Sequence, residues 1–356
     1  MTFDVLMKQK ADSLTRKEKD KILFDGLIEL TRHHKKNCPE YNNILEAIEF
    51  SEENCQKLDD LPFIPVNLFK TLKLHSVQAP EEIVTVLNSS GTSGQIPSSI
   101  YLDRETSRRQ SLGLTQSIQS ITSGKRLPML IVDSPSQIKK KPLTARGAGI
   151  LGLMRFGHAH TFILNEDLSL NLKGLEQFLE KHGEQPFLIF GFTFMVWSYL
   201  FKNISSASNL TNGILIHSGG WKKLQEEAVS LQEFNQAFSE KTGLQKTYNF
   251  YGMVEQIGSI FLEGPDGYLY PPNFSKAIIR DPYTLASLPE GEEGLIQLVS
   301  LLPKSYPGHS ILTSDMGRLH PAGISDLAQQ AGLEVTRRAP KAEIRGCSDT
   351  HTASKR

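Results

Sequence analysis

The sequence predicts an α/β protein with an at least partly parallel sheet and a smaller strand-rich lobe toward its C-terminus. Three observations lead there. Between residues 83 and 251 short apolar runs of strand length alternate with segments of helical period, which is how βα units read. From Gly267 onward the helical periods give way to short apolar runs separated by Pro and Gly turns. The 39% hydrophobic and 22% charged residues in 356 are those of an ordinary globular chain, long enough to bury a large core.

Taken in order, residues 1–80 read as a helical lead-in packed on the core. Leu23, Leu27, Ile28 and Leu30 recur at helical spacing within 17–34, and 41–50 suggests a second helix. Residues 61–70, LPFIPVNLFK, hold two prolines and must be extended or turning. A core is expected over 81–345. In it, 83–87 reads as a buried strand, followed by a Ser/Gly loop and a helix over 104–121. A short strand is expected at 130–132 and an amphipathic helix over 172–182, with Gly183 as its C-cap. Strands follow at 187–190, 213–217 and 247–251, then at 276–280, 294–301 and 309–313 in the strand-rich lobe.

Several function classes are disfavoured. Lys plus Arg (39) balances Asp plus Glu (39), so no global field draws nucleic acid or an acidic membrane. Cys38, Cys55 and Cys347 are an odd number without metal-type spacing, pointing to a reducing compartment. The N-terminus lacks an apolar signal-peptide region. The longest apolar candidate, 187–201, is broken by Gly191 and Thr193 and is shorter than the roughly 18–20 residues of a membrane span. A soluble, cytoplasmic protein without a membrane span or nucleic-acid partner is expected.

Three segments carry chemistry. Ser89, Ser90, Gly91, Thr92, Ser93 and Gly94 follow the strand at 83–87; two glycines allow close backbone approach, and hydroxyls and free N–H groups can surround phosphate oxygens. No Gly-Lys-Ser/Thr follows, so this is not a Walker A loop. In 249–256, NFYGMVEQ, Tyr251 can stack on a base, Gly252 permits close approach and Glu255 can hold Mg²⁺. In 313–318, TSDMGR, Asp315 can accept hydrogen bonds from vicinal hydroxyls and Arg318 can face a phosphate or carboxylate. Each segment alone also reads blandly, as a surface loop, a core aromatic beside a solvated charge, and a plain turn. His158 and His160 could share a strand face, and His217 could touch substrate, but satisfied histidines are the plainer reading of them.

Occurring in this order, the three segments resemble the motifs of the adenylate-forming acyl and aryl ligases. The closer resemblance is to the acyl-protein synthetases, the long-chain-fatty-acid–luciferin-component ligases of bioluminescent bacteria. It includes 64–70 (IPVNLFK), 89–94, 218–223 (SGGWKK) and 250–256, and runs from about residue 60 to the end. The resemblance implies an adenylate-forming core of packed α/β lobes with a smaller β-rich lobe. It implies that 89–94 hold the phosphates of ATP, Gly219 and Gly220 line the adenine slot and Tyr251 flanks the base. Glu255 would bind Mg²⁺, Asp315 the ribose hydroxyls, and Arg318 would sit beside them. Two departures stand out: Val254 replaces the superfamily threonine, and no lysine trails the phosphate loop at 95–99. Lys222 or Lys223 could supply that charge, although a solvated lysine is the plainer reading.

Residues 343–349, EIRGCSD, resemble the hinge that precedes a C-terminal domain in larger ligases. Seven residues follow Asp349, so the expected architecture lacks the full C-terminal domain, and 346–356 read as a hinge-like tail. The resemblance implies that a cysteine near this place, here Cys347, accepts the acyl group. The expected function is ATP-dependent activation of a carboxylic acid, a fatty acid foremost, with transfer to a protein thiol. An acyl-accepting reductase or carrier protein would be the partner. An acyl- or aryl-CoA ligase and a non-catalytic nucleotide-binding subunit stand as alternatives.

Overall fold

The computed structural model describes residues 2–8, 14–88, 97–140, 143–220, 229–321 and 330–339. Helix α1 (Thr2–Lys8), α2 (Arg16–Asn37) and α3 (Pro39–Ala47) open the chain. Thr15 and Glu18 form a reciprocal capping box at the start of α2, satisfying two otherwise orphaned N–H groups. Leu23, Leu27, Ile28 and Leu30 are buried, and with Phe3 and Leu6 they pack on Phe274, Ile278 and Val299. The 61–70 segment is extended and turning, as its prolines require: β1 (Ile64–Pro65) leads into a 3₁₀ turn at Val66–Lys70.

Strands β2 (Thr85–Asn88) and β3 (Ser99–Leu102) form an antiparallel pair closed by residues 89–98. The expectation of a buried strand at 83–87 is corrected here. Val84, Thr85 and Val86 are exposed, and Leu87 alone is buried, because the pair stands apart from the main sheet and is covered on one face. Helix α4 (Arg104–Thr122) follows, capped by Asp103, whose side chain accepts from Thr106 N at 2.7 Å.

The remaining strands are β4 (Leu127–Ile131), β5 (Gly157–Phe162), β6 (Phe187–Phe192), β7 (Gly213–Ser218), β8 (Lys246–Tyr251), β9 (Phe261–Glu263), β10 (Leu269–Tyr270), β11 (Ser275–Arg280), β12 (Gly294–Ser300), β13 (Ser310–His320) and β14 (Gly332–Arg338). Among the described residues they join β1 in one 12-stranded sheet, ordered β11-β12-β13-β14-β10-β9-β8-β7-β6-β4-β5, with β1 on β13. The run β5-β4-β6-β7-β8 is parallel, successive neighbours from β8 to β11 in this order are antiparallel, and β1 joins β13 in parallel. The strand-rich lobe of the sequence is thus the antiparallel half of a continuous sheet. Strand β13 changes neighbour along its length: Ile311 and Leu312 pair with β1, and Asp315 to His320 pair with β14.

Helices α5 (Ala145–Met154), α6 (Leu172–His182), the short turn α7 (Thr193–Met195) and α8 (Leu231–Thr242) connect the parallel strands. One face of these strands packs on α6 and α8 through Leu175, Phe178, Phe234 and Phe238. The other packs on α4 and α5 through Ile118, Ile150 and Leu153. Gly183 caps α6, but with φ −66° it is not left-handed. Glycine suits it because an added Cβ would come within 2.5 Å of Leu179 O. The strand order reverses between β4 and β6, which puts the crevice beyond their carboxyl ends where open α/β sheets bind ligands. No helix among the described residues is long and apolar enough to cross a membrane.

Candidate active site

The chain leaves β8 at its carboxyl end through Tyr251 and Gly252 and turns at Val254–Gln256. Two side chains of this stretch reach distant elements. The Tyr251 hydroxyl donates to Asp315 Oδ2 at 2.8 Å, tying β8 to the middle of β13. Glu255 is buried, and the Ser98 hydroxyl at the base of the 89–98 segment is near enough to favour its charged form. Alongside, Ser218 Oγ donates to Phe250 O at 2.7 Å, holding the ends of β7 and β8 together. Ser218 at the end of β7, Tyr251, the turn that carries Glu255 and, through Tyr251, Asp315 are therefore brought near one another.

The electrostatics of these groups follow from burial. Burial pushes the Glu255 carboxyl above its ordinary value, against the opposing effects of the Ser98 hydroxyl, its own backbone N–H and the Lys70 charge. Burial, and after it the Asp315 charge, pushes the Tyr251 phenol well up, so it stays a neutral donor. Asp315 N is held by Thr313 Oγ1 at 3.1 Å, fixing the local turn of the strand. His217, at the end of β7, is buried with Nδ1 2.9 Å from Thr193 Oγ1 and its ring stacked on Phe234. Burial lowers it to about 3.

Gly219 has φ +87°, in the left-handed region that favours glycine. At Gly220 a Cβ would meet nothing within 4 Å, and at Gly252 it would make only ordinary contacts with Ile260 and Ser259. Packing of the protein itself demands neither glycine. Both positions are exposed, on the side where a ligand would approach.

Arg318 lies with its Nε 3.5 Å from Glu334 across the β13–β14 pair, and His320 shares that carboxylate at 2.8 Å. Arg338 is instead the cation beside Asp315, with Nε 3.4 Å from Oδ1. Nothing local in the sequence marks Arg338, because it reaches Asp315 only through the antiparallel register. Ser98 and Lys70 were missed as well, although Lys70 closes a segment that carried part of the resemblance. His160 Nε2 bonds Met154 O at 2.8 Å. Ser89 to Gly94, Lys222, Lys223 and Cys347 lie outside the described residues. The flanking Asn88 and Ser99 are paired, with Ser99 Oγ 3.0 Å from Asn88 Oδ1. Asn88 also bridges to Thr144 at the start of α5.

The sequence model described as acyl-protein synthetase, LuxE, matches residues 2–354 of this chain. The long-chain-fatty-acid–luciferin-component ligase of Aliivibrio fischeri is 24% identical over 339 residues, covering 93% of this chain and 88% of that protein. Its namesake from Vibrio harveyi is 23% identical over 331 residues, covering 89% and 84%. Among solved structures, an open conformation of 2-hydroxyisobutyryl-CoA ligase in complex with 2-HIB-AMP and CoA is similar with a TM-score of 0.69. Its identity is 15%, and the likeness covers 92% of this chain and 76% of that one. A long-chain-fatty-acid-CoA ligase from Archaeoglobus fulgidus is similar with a TM-score of 0.51 at 13% identity, covering 74% and 53%. At such identities the structural likeness establishes the fold, which is that of the adenylate-forming ligases.

Proposed function

Because the chain belongs to the acyl-protein synthetase, LuxE, family, we propose that its site activates a fatty acid and passes the acyl group to a cysteine of the protein. The chain is an AMP-forming ligase: it activates an acid to acyl-AMP at the expense of ATP and transfers the acyl group. One observation carries the reading of the site, the convergence of Tyr251, Asp315 and Glu255 beside the base of the 89–98 loop. In the first step a carboxylate oxygen attacks the α-phosphorus. The bond to the bridging oxygen breaks, and pyrophosphate leaves with its electron pair. In the second step a thiolate attacks the acyl carbonyl, the carbon–oxygen bond to AMP breaks, and AMP leaves.

The residues have distinct tasks. Asp315 accepts hydrogen bonds from the ribose hydroxyls, Tyr251 orients Asp315 and flanks the base, and Gly219 and Gly220 leave room for the adenine. Residues 89–94 offer backbone N–H groups and hydroxyls to the phosphates, so that charge is met by preorganised donors. Glu255 suits magnesium: it is a buried carboxylate beside a hydroxyl oxygen, the donor type this ion prefers. Once bound, Mg²⁺ would neutralise charge on the phosphate oxygens.

The acceptor is Cys347. Cys38 and Cys55 are buried and free, and burial raises both thiols, Cys55 to about 11. Neither supplies an accessible thiolate, the reactive form, which leaves Cys347 among the three cysteines. The free thiols accord with a cytoplasmic location, and an acyl-accepting reductase or carrier protein is the partner that would take the group onward. The test is acid-dependent exchange of pyrophosphate into ATP, screened with fatty acids from C2 to C18 and with aryl acids. Activity with fatty acids supports the reading. No exchange with any acid removes it.

A further inference from the structure

The N-terminal helices meet the core along a seam that encloses a cleft of about 240 Å³. Phe3 of α1, Leu30 of α2 and Leu301 just past β12 give it an apolar floor, and all three are buried. Its polar lining is His33, Arg109 and Lys304, with the exposed Glu29. None of these residues belongs to the nucleotide site described above. We propose that the cleft is a second ligand site, which takes a small amphiphilic carboxylate with its headgroup on Arg109 and Lys304 and its tail on the apolar floor.

Arg109 is held in place by the protein itself. Its Nε lies 2.9 Å from Glu105 Oε1, its Nη1 donates to Leu301 O at 3.1 Å, and its guanidinium carbon stands 4.9 Å from the centre of the Phe3 ring. A guanidinium so fixed loses little freedom when it meets a carboxylate. The neighbouring acids do not cancel the cations. Glu105 also takes two bonds from Arg108, at 2.9 and 3.0 Å, and Asp103 is occupied in capping α4 through Thr106 N. Lys304 is half-buried and has no ion-pair partner among the described residues. His33 Nε2 donates to Lys304 O at 3.0 Å, and its Nδ1 accepts from Asn37 Nδ2 at 3.2 Å. Burial lowers His33, against its bond to Lys304 O, and the Lys304 and Arg109 charges lower it further. Both cations therefore bear on one place beside a neutral ring. Gly26 lines the cleft from the interior of α2, where glycine is the least favourable residue after proline, and its bare backbone adds no side chain to fill the space. A bare phosphate would leave the apolar floor unused, and a neutral lipid would leave the two cations unanswered. A carboxylate with a hydrocarbon tail meets both.

The test is photolabelling of the whole protein with a diazirine-bearing octanoate, without ATP, followed by mass mapping of the labelled peptides. Label should fall on the peptides that carry Phe3, Leu30 or Leu301. Octanoate should displace it, and octylamine, whose headgroup is a cation, should not. Lys304→Gln strands no carboxylate and should lower labelling there roughly tenfold, through loss of one charge-assisted contact. Arg109→Gln should lower it as much, with a melting curve to check that the fold survives the loss of the Glu105 pair. Acid-dependent pyrophosphate exchange reads the other site and should be unchanged in Lys304→Gln. Absence of label from all three peptides would overturn the proposal, as would full labelling in Lys304→Gln or equal displacement by octylamine. Exchange that falls together with the label in Lys304→Gln would merge the cleft with the substrate site and overturn its separateness. A wild type that shows no exchange, yet labels at the cleft, would sink the reading of the nucleotide site and leave this one standing.

Discussion

Tyr251 and Asp315 stand 64 positions apart in the chain, yet the tyrosine hydroxyl donates to the aspartate carboxylate at 2.8 Å. The bond joins the last parallel strand to the long strand β13, and Asp315 Oδ1 lies 3.4 Å from Nε of the exposed Arg338. One oxygen is thus held by the Tyr251 hydroxyl and the other lies beside a long, exposed side chain. On the proposed reading, a carboxylate so oriented would meet the ribose diol.

Asp315→Ala should therefore weaken ATP binding by about 10- to 150-fold, the equivalent of about 1.5–3 kcal/mol for a charged acceptor. Tyr251→Phe should weaken it less, because the carboxylate stays but loses its orienting donor. Calorimetric dissociation constants, with melting curves as a control for folding, decide the matter. An unchanged constant in Asp315→Ala places the ribose elsewhere.

Cys347→Ser should leave pyrophosphate exchange near the wild-type rate, since adenylation uses only the nucleotide and acid sites. It should abolish hydroxylamine-sensitive labelling of the protein by radiolabelled acid and ATP, because an unassisted serine hydroxyl is a poor nucleophile. Label persisting on the variant would move the acceptor away from Cys347. A wild type that never labels yet forms acyl-CoA would make coenzyme A the acceptor.

Stability should fall as the pH drops from about 6.5 toward 4.5, where imidazoles of the unfolded chain gain protons. Burial holds His34, His217 and His309 below the ordinary value, the latter two at about 3, so the unfolded chain binds more protons there. Burial raises Glu255 and also Glu263, the latter to about 7, so these carboxyls act in the opposite direction over the same window. Burial lowers His33 and His182 as well, so five imidazoles act against two carboxyls and leave a net decline. Glu263→Gln should stabilise the protein above pH 7 by about 2 kcal/mol and steepen the acid-side fall. Urea midpoints across pH 4.5–8 provide the measurement, and a flat profile would contradict the assignment of neutral histidines.

Arg146→Ala should destabilise the fold by about 3 kcal/mol, because it strands a buried carboxylate. Asp133 is 1% exposed and both its oxygens are taken by the guanidinium fork. Arg146→Lys should recover only part, since a single ammonium cannot reproduce the two parallel bonds. Urea unfolding compares the three proteins.

The sequence by itself determined the alternation of strands and helices, the helix Leu172–His182 and the strand near 213–218 to within a residue. It also determined the ordered motifs that resemble an acyl-protein synthetase. Those features are local: apolar period, Gly and Pro placement and short-range motif spacing are written in neighbouring residues. The tertiary structure alone decided that β2 is exposed rather than buried and that the strand-rich lobe continues the parallel sheet. It alone placed Arg338 beside Asp315. Each of these depends on which strand pairs with which and in what register. That choice is made by burial summed over the whole core, so no window of sequence contains it.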